Sequence, residues 1–298
     1  MRSAIIMVLL SHLSPISALG QQDETCDYHD PVWSPDSKQV AFYSNRTGNW
    51  DLFTVGRDGT QLTQVTDFEG TDGGPAWSPD GRLLAFHTDR GMGDTLYILT
   101  LETGAVEPVS AALGRAAAPE WSPDGRTIYY EGRSGDNRDI YAVDLESRDV
   151  RRITTHPDND FRPAVSPDGA TLCFQSKRSG AYQLYRMSTG GGEVEALTSG
   201  KENNASPDWS PDGKSIVFFS DKTGAGDIYR MEIVTGEVTR LTTDEALDFA
   251  ARWSPDGNSI VFVSQRTGAN RVFLMDSDGS EPRLLVDGCG PLDPDPGS

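Results

Sequence analysis

The sequence predicts an all-β chain: a six-bladed β-propeller with four antiparallel strands per blade, built from 44-residue repeats. Three observations carry this. Trp33, Trp77, Trp121, Val165, Trp209 and Trp253 are spaced 44 residues apart without an insertion, and each opens the phrase Ser-Pro-Asp. Aliphatic and aromatic columns keep the same period through all six copies. The chain of 298 residues is rich in Gly (31) and Pro (18) and only 36% hydrophobic, a mixture that suits short strands and tight turns rather than a helical bundle.

Each repeat reads as one blade. The inner strand ends at the Trp position. Ser-Pro-Asp-Gly then makes a tight turn: Pro presets φ, Asp bonds nearby backbone, and Gly accepts a left-handed conformation. A second strand follows, rich in β-branched and aromatic residues, as at Gln39–Ser44 and Ser215–Ser220. It carries an aliphatic column (Val40, Leu84, Ile128, Leu172, Ile216, Ile260) and an aromatic one (Phe42, Phe86, Tyr130, Phe174, Phe218, Phe262). A loop containing Arg46-Thr47-Gly48 leads to a third strand at Asp51–Val55, with its own aromatic column from Phe53 to Phe273. A Gly-containing turn gives the fourth strand, which closes at Val65, Val109, Ile153, Leu197, Leu241 and Leu285. A solenoid needs atypical polar end caps, whereas the first and last copies here look like the middle ones, so a closed ring fits better.

The cysteines bear on closure. One full turn of six repeats is 264 residues, which places Cys289 beside Cys26, and a bond between them would clasp the ring where its ends meet. Cys173 falls in a column of small apolar residues and reads as a buried hydrophobe. Residues 1–20 read as a secretory leader, with Arg2, the apolar run Ala4–Leu10, and small residues at Ala18 and Gly20. The expected divisions are therefore leader 1–20, lead-in 21–29, propeller 30–290 and tail 291–298, with a periplasmic or secreted location. A net charge of −19 disfavours nucleic acid and anionic bilayers. No other stretch approaches the ~18 apolar residues of a membrane span, and a monomer is expected.

The combination Trp-Ser-Pro-Asp-Gly, an Ile/Leu-x-Phe strand, Ser-x-Arg-x-Gly-x-x-Asp-Leu/Ile-Phe/Tyr and a closing Leu-Thr resembles the TolB-type propeller repeat, most clearly over Ser44–Phe53 and more loosely over Ser220–Tyr229. The resemblance covers roughly residues 28–290. It implies a periplasmic six-bladed propeller that works in the Tol–Pal envelope system and contacts the peptidoglycan-associated lipoprotein. The chain departs from that family in the short span between Gln21 and Asp30, where TolB carries an N-terminal α/β domain. Similar repeats occur in propellers that precede serine hydrolase domains and in oligogalacturonate-lyase-like enzymes, where the propeller holds the active site.

Residues present in most blades serve the blade: the Trp column packs between blades, and Arg46, Arg90, Arg178 and Arg266 with Asp51, Asp139 and Asp227 pair within them. Function is expected where one blade departs from the rule, on the face carrying the between-blade loops. Five residues before the Trp positions, Asp72, Asp160 and Asp248 fall on alternate blades, with Asn204 in the same column. They are either a channel-mouth site for a basic peptide or a divalent cation, or Asx-type turn formers. His87 and Glu131, on neighbouring blades, are either an acid–base or metal-sharing pair or a structural hydrogen-bonded pair. Arg115 and Arg162 are candidates for an anionic ligand. No G-x-S-x-G elbow, Walker loop or H-E-x-x-H occurs. The expectation is a non-catalytic scaffold without a cofactor that binds a protein or peptide, such as an envelope protein. The alternative is a metal-dependent carbohydrate lyase or hydrolase.

Overall fold

A computed structural model describes residues 26–90, 95–109 and 115–289, the Ser134 side chain excepted. The expected leader, residues 21–25 of the lead-in and the tail lie outside the described residues. In blade 1, β1 (Tyr28–Trp33), β2 (Gln39–Ser44), β3 (Asp51–Gly56) and β4 (Thr63–Gln64) form one sheet in chain order. Five further four-stranded antiparallel sheets repeat this order, with inner strands at Asp72–Trp77, Ala116–Trp121, Asp160–Val165, Asn204–Trp209 and Asp248–Trp253. Outer strands are short, two to four residues, which limits the exposed edge each blade offers. No helix among the described residues is long and apolar enough to cross a membrane.

Turn chemistry repeats as the sequence predicts. In blade 1, Ser34 Oγ donates to Asp36 Oδ1 at 2.7 Å, and the Gln39 N–H donates back to Ser34 Oγ at 2.9 Å. The same ring of bonds forms in the other five blades. Gly81 sits at φ 71° in its turn, where a side chain would be strained, and rests on Pro35 of the preceding blade.

The core lies between blades. Phe42, Phe53 and Trp33 of blade 1 pack on Val261, Val272 and Leu274 of blade 6, and Trp121, Ile128 and Tyr130 of blade 3 pack on Ala76, Ala85 and Leu96 of blade 2. The tryptophans also tie blades by hydrogen bonds: Trp121 Nε1 donates to Ala76 O at 3.1 Å, and Trp209 Nε1 to Ala164 O at 3.2 Å. Cys173 is fully buried, and burial pushes its thiol up.

Among the described residues no blade borrows a strand from another, and the joint between blades 6 and 1 there rests on side chains and one covalent bond. Cys26 and Cys289 are disulfide-bonded across 263 residues. Around them, Arg271 Nη1 donates to Cys26 O at 2.6 Å, the Asn270 N–H to Asp27 Oδ1 at 3.0 Å, and Tyr28 Oη to Gly288 O at 2.5 Å. On the turn face, Arg57 pairs with Asp256 at 2.6 Å and covers the Trp33 ring. The chain-entropy estimate for so long a loop is about 5 kcal/mol, an upper figure. The double variant Cys26→Ser, Cys289→Ser is expected to stay folded and to lose about 2–5 kcal/mol in denaturant unfolding, with no change in far-UV circular dichroism.

Candidate functional site

The site begins with a proline. Inner strands carry Pro31, Pro75, Pro119, Pro163 and Pro207, with Ala251 in blade 6. Proline has no N–H for the ladder and so suits a bulge at this position, which blade 6 forms around Ala251 as well. Register slips between His29 and Val32, and at the matching point of every other blade. The residue before each proline takes a left-handed φ: Asp30 43°, Gly74 58°, Ala118 47°, Arg162 52°, Ser206 52°, and Ala250 54° before its alanine. The bulge re-aims this column, and Asp30, Gly74, Ala118 and Arg162 line the central channel.

Two of the six bulge residues are charged, and they stand on opposite blades. Asp30 Oδ1 and Arg162 Nη1 meet at 2.9 Å, bridging the channel at its waist. Burial pushes the Asp30 carboxyl up, but Arg162 more than reverses this and holds it below the usual range. Asp30 in turn raises the Arg162 pKa.

The pair divides the channel into two vestibules. The turn-side one has a volume of ≈ 390 Å³, is walled by Trp33, Trp77, Trp121 and Trp253, and holds Glu120, Asp208 and Arg252. Burial pushes Glu120 up to about 8, against the pull of Arg252 and helped by Asp208. It pushes Asp208 up to about 6, although Arg252 and the Trp253 N–H, which donates to Asp208 Oδ2 at 2.7 Å, favour the anion.

The loop-side vestibule, ≈ 310 Å³, lies between Tyr43, His87, Glu131, Gln175, Phe161 and Tyr182. Glu131 and Gln175 accept the N–H of the next blade's bulge residue: Arg162 N donates to Glu131 Oε1 at 2.9 Å, and Ser206 N to Gln175 Oε1 at 2.7 Å. Glu131 Oε2 also faces Arg138 Nη1 at 3.5 Å. Burial raises the Glu131 pKa, while Arg162 works against it. His87 lies over Gly73 and Gly74; a Cβ on Gly74 would come within 2.9 Å of its Nδ1. Half-buried aromatics rim the opening: His29 and Tyr43 stack at 5.3 Å, Tyr43 and Trp50 meet at 5.4 Å, and Phe161 and Tyr182 at 6.0 Å.

The candidates from sequence divide unevenly. His87, Glu131 and Arg162 share the loop-side vestibule. Asp72, Asp160 and Asp248 are instead fully buried inside their blades, each bound to its own arginine: Arg90 at 2.6 Å, Arg178 at 2.9 Å and Arg266 at 3.0 Å. They therefore correct two readings at once. They do not ring the channel mouth, and Arg90, Arg178 and Arg266 pair with them rather than with the column of Asp51, Asp139 and Asp227, while Arg46 donates to Tyr28 Oη at 3.3 Å. Asp139 and Asp227 take Arg152 and Arg240, while Asp51 accepts from Gln64 and Thr66. Asn204 is buried too, its amide donating to Gln183 Oε1 at 2.9 Å. Arg115 is exposed just ahead of the blade 3 inner strand. Among the described residues no three of His, Cys, Asp and Glu converge as a metal would require; His87 and Glu131 line the same vestibule, where Glu131 accepts from the Arg162 N–H and faces Arg138. The waist residue Asp30 and the turn-side acids escaped the sequence reading. The signal that marks them is the proline of blades 1–5 two residues before the Trp position, a residue that a regular inner strand would not accommodate.

The raised carboxyl values have a consequence for stability. A carboxyl group whose folded-state pKa lies above its unfolded one holds a proton longer in the folded chain. Stability is then lost as pH rises from the ordinary glutamate value of 4.5 to about 8 for Glu120. Glu120→Gln removes that loss, so its melting temperature is expected to exceed wild type by about 2 °C or more at about pH 8.5 and to match it near about pH 4.5, measured by calorimetry.

Comparison with known proteins agrees with the geometry. Residues 21–98, 92–223 and 198–295 match the TolB beta propeller domain, PD40. TolB from Acinetobacter baumannii superposes with a TM-score of 0.70 at 26% identity, over 87% of this chain and 62% of that one. This chain thus spans less than two thirds of that protein's length. A putative TolB from Agrobacterium tumefaciens gives 0.70 at 28% identity, over 77% and 86%. Oligogalacturonate lyase from Vibrio parahaemolyticus shares the fold alone, with a TM-score of 0.57 at 16% identity over 84% and 90%. No curated protein matches the sequence. With the repeat, the closed six-bladed ring and the matched residues all in agreement, this chain belongs to the TolB beta propeller domain family.

Proposed function

We propose that this chain is an exported, non-catalytic propeller that receives a loop or peptide of a protein partner in its loop-side vestibule. One observation carries the reading. The Asp30–Arg162 pair bridges the channel, so the loop-side vestibule presents charged groups at its inner end and half-buried aromatics at its rim. Rigid aromatic side chains supply contact area at low entropic cost, and convergent polar groups fix orientation, which is how peptide-sized ligands are held. The likeness to TolB structures at 26% and 28% identity supports a binding role, and the Cys26–Cys289 bond supports an oxidising, exported location. The leader expected over residues 1–20 supports the same location.

A photo-crosslinking amino acid at Tyr182 is expected to trap a discrete envelope protein, and the same group at Val150, on the outer strand of blade 3, is expected to trap none. Tyr43→Ala with Phe161→Ala is expected to weaken capture of that protein by about tenfold or more, as loss of two buried aromatic anchors does. Equal trapping at Tyr182 and Val150, or unchanged capture by the double variant, would refute the assignment.

A further inference from the structure

Blade 5 lacks an arginine that four of its siblings have, yet keeps the walls that surround it. In blade 4, Arg178 folds back from the loop after the second strand. Its guanidinium carbon lies 5.3 Å from the Phe174 ring centre and 4.7 Å from that of Tyr185. Its Nε donates to Ser176 Oγ at 2.9 Å and its Nη2 to Asp160 at 2.9 Å. Blade 6 builds the same nest around Arg266 from Phe262, Phe273, Ser264 and Asp248. Blade 2 does so around Arg90 with Phe86, Tyr97, Thr88 and Asp72. In blade 1 the aspartate is replaced by Tyr28, and Arg46 still lies 5.8 Å over Phe53 and donates to the Tyr28 hydroxyl at 3.3 Å. In blade 1, then, the nest presents a hydroxyl to the guanidinium at the aspartate position.

In blade 5 the arginine position is Lys222, whose side chain is exposed, and the aspartate position is Asn204. The aromatic pair is retained: Phe218 and Tyr229 stack with centroids 5.9 Å apart. Ser220 is retained as well, and is buried. Where the arginine sits in the sibling blades there is a cavity of ≈ 220 Å³, lined by Asn204, Phe218, Ser220, Tyr229 and Lys222, with Glu202 on its wall. Val238, 48% exposed, stands at its edge. Blade 3, which also lacks the arginine, closes its own nest differently. Gly132 replaces the serine or threonine, and the Tyr141 ring lies so close that a Cβ there would come within 2.5 Å of it.

We propose that the blade 5 cavity is a binding site for an arginine side chain supplied by a partner chain. The ligand class follows from the sibling blades, which fill the same walls with their own guanidinium groups. Stacked aromatic faces and a serine hydroxyl suit a planar, weakly hydrated cation with a fork of donors, and they suit a compact ammonium less well. Glu202 lines the cavity, with its Oε2 accepting from the Lys201 N–H at 3.0 Å, and the chain's net charge of −19 favours a basic partner. The site lies within blade 5, away from the vestibule, and stands or falls independently of the function proposed above.

The test uses the purified full chain, a blocked arginine (N-acetyl-arginine methylamide) and the matching blocked lysine, with binding followed by NMR shifts of Tyr229 and Val238. Wild type is expected to bind the arginine probe at least about fivefold more tightly than the lysine probe. Lys222→Arg is expected to place the chain's own guanidinium in the cavity, to weaken probe binding by about tenfold or more and to raise the melting temperature. Lys222→Gln, which leaves the cavity open and removes a like charge from its wall, is expected to bind the arginine probe more tightly than wild type does. The proposal is overturned if wild type does not bind the arginine probe, if both probes bind equally, or if Lys222→Arg binds as well as wild type.

Discussion

Closing a ring of six equal blades, with no strand exchanged among the described residues, places the demand of closure on one joint. Every other pair of neighbouring blades is continuous in sequence, so chain connectivity keeps them together. Blades 6 and 1 are separated by the length of the molecule. What holds them is a packed cluster running from Phe42 and Trp33 to Val261 and Leu274, the Arg57–Asp256 pair, and the Cys26–Cys289 bond. The covalent link acts mainly on the unfolded chain, by removing conformations in which the two ends are far apart. The channel, and both vestibules in it, exist only while this joint holds.

Within that ring the repeat sets a background against which departures can be read. The six bulges are the same backbone event, but four of them present Gly, Ala or Ser and two present a carboxylate and a guanidinium. Because those two face each other from blades 1 and 4, a side-chain choice at two positions bridges the channel between its two vestibules. A pair of this kind is weak evidence for stability, since desolvation offsets much of its attraction. Its effect here is geometric, because it sets the depth to which a ligand can enter. Glu131 and Gln175 act similarly. Each accepts the bulge N–H of the next blade, so the polar floor of the loop-side vestibule also fastens neighbouring blades.

Much of this was readable in the amino-acid order. The 44-residue period, the Ser-Pro-Asp-Gly turns and the alternating columns define blades and strands almost to the residue, and the same period brings Cys26 and Cys289 to one angular position. The partners of buried charges were harder. Asp72, Asp160 and Asp248 share a column, which shows that they do the same thing, but the column alone does not say whether they face the channel or an arginine eighteen residues on. Strand alternation assigns side chains to two faces of a blade. A bulge adds a residue that obeys neither face, so a reading that takes the inner strand as regular does not find Asp30 and finds Arg162 only as a charge between blades. The proline that precedes the Trp position by two residues in blades 1–5 carries that information, and only the structure shows where the re-aimed side chain goes.

Hydrogen exchange resolved along the chain tests the dependence on closure most directly, comparing wild type with the chain lacking both bonded cysteines. If the joint is the weak point of the ring, amides of Tyr28–Trp33 in blade 1 and Arg271–Asp276 in blade 6 lose protection first, while the strands of blades 3 and 4 keep theirs. Protection that falls evenly around all six blades, or that fails first in blades 3 and 4, would contradict the account.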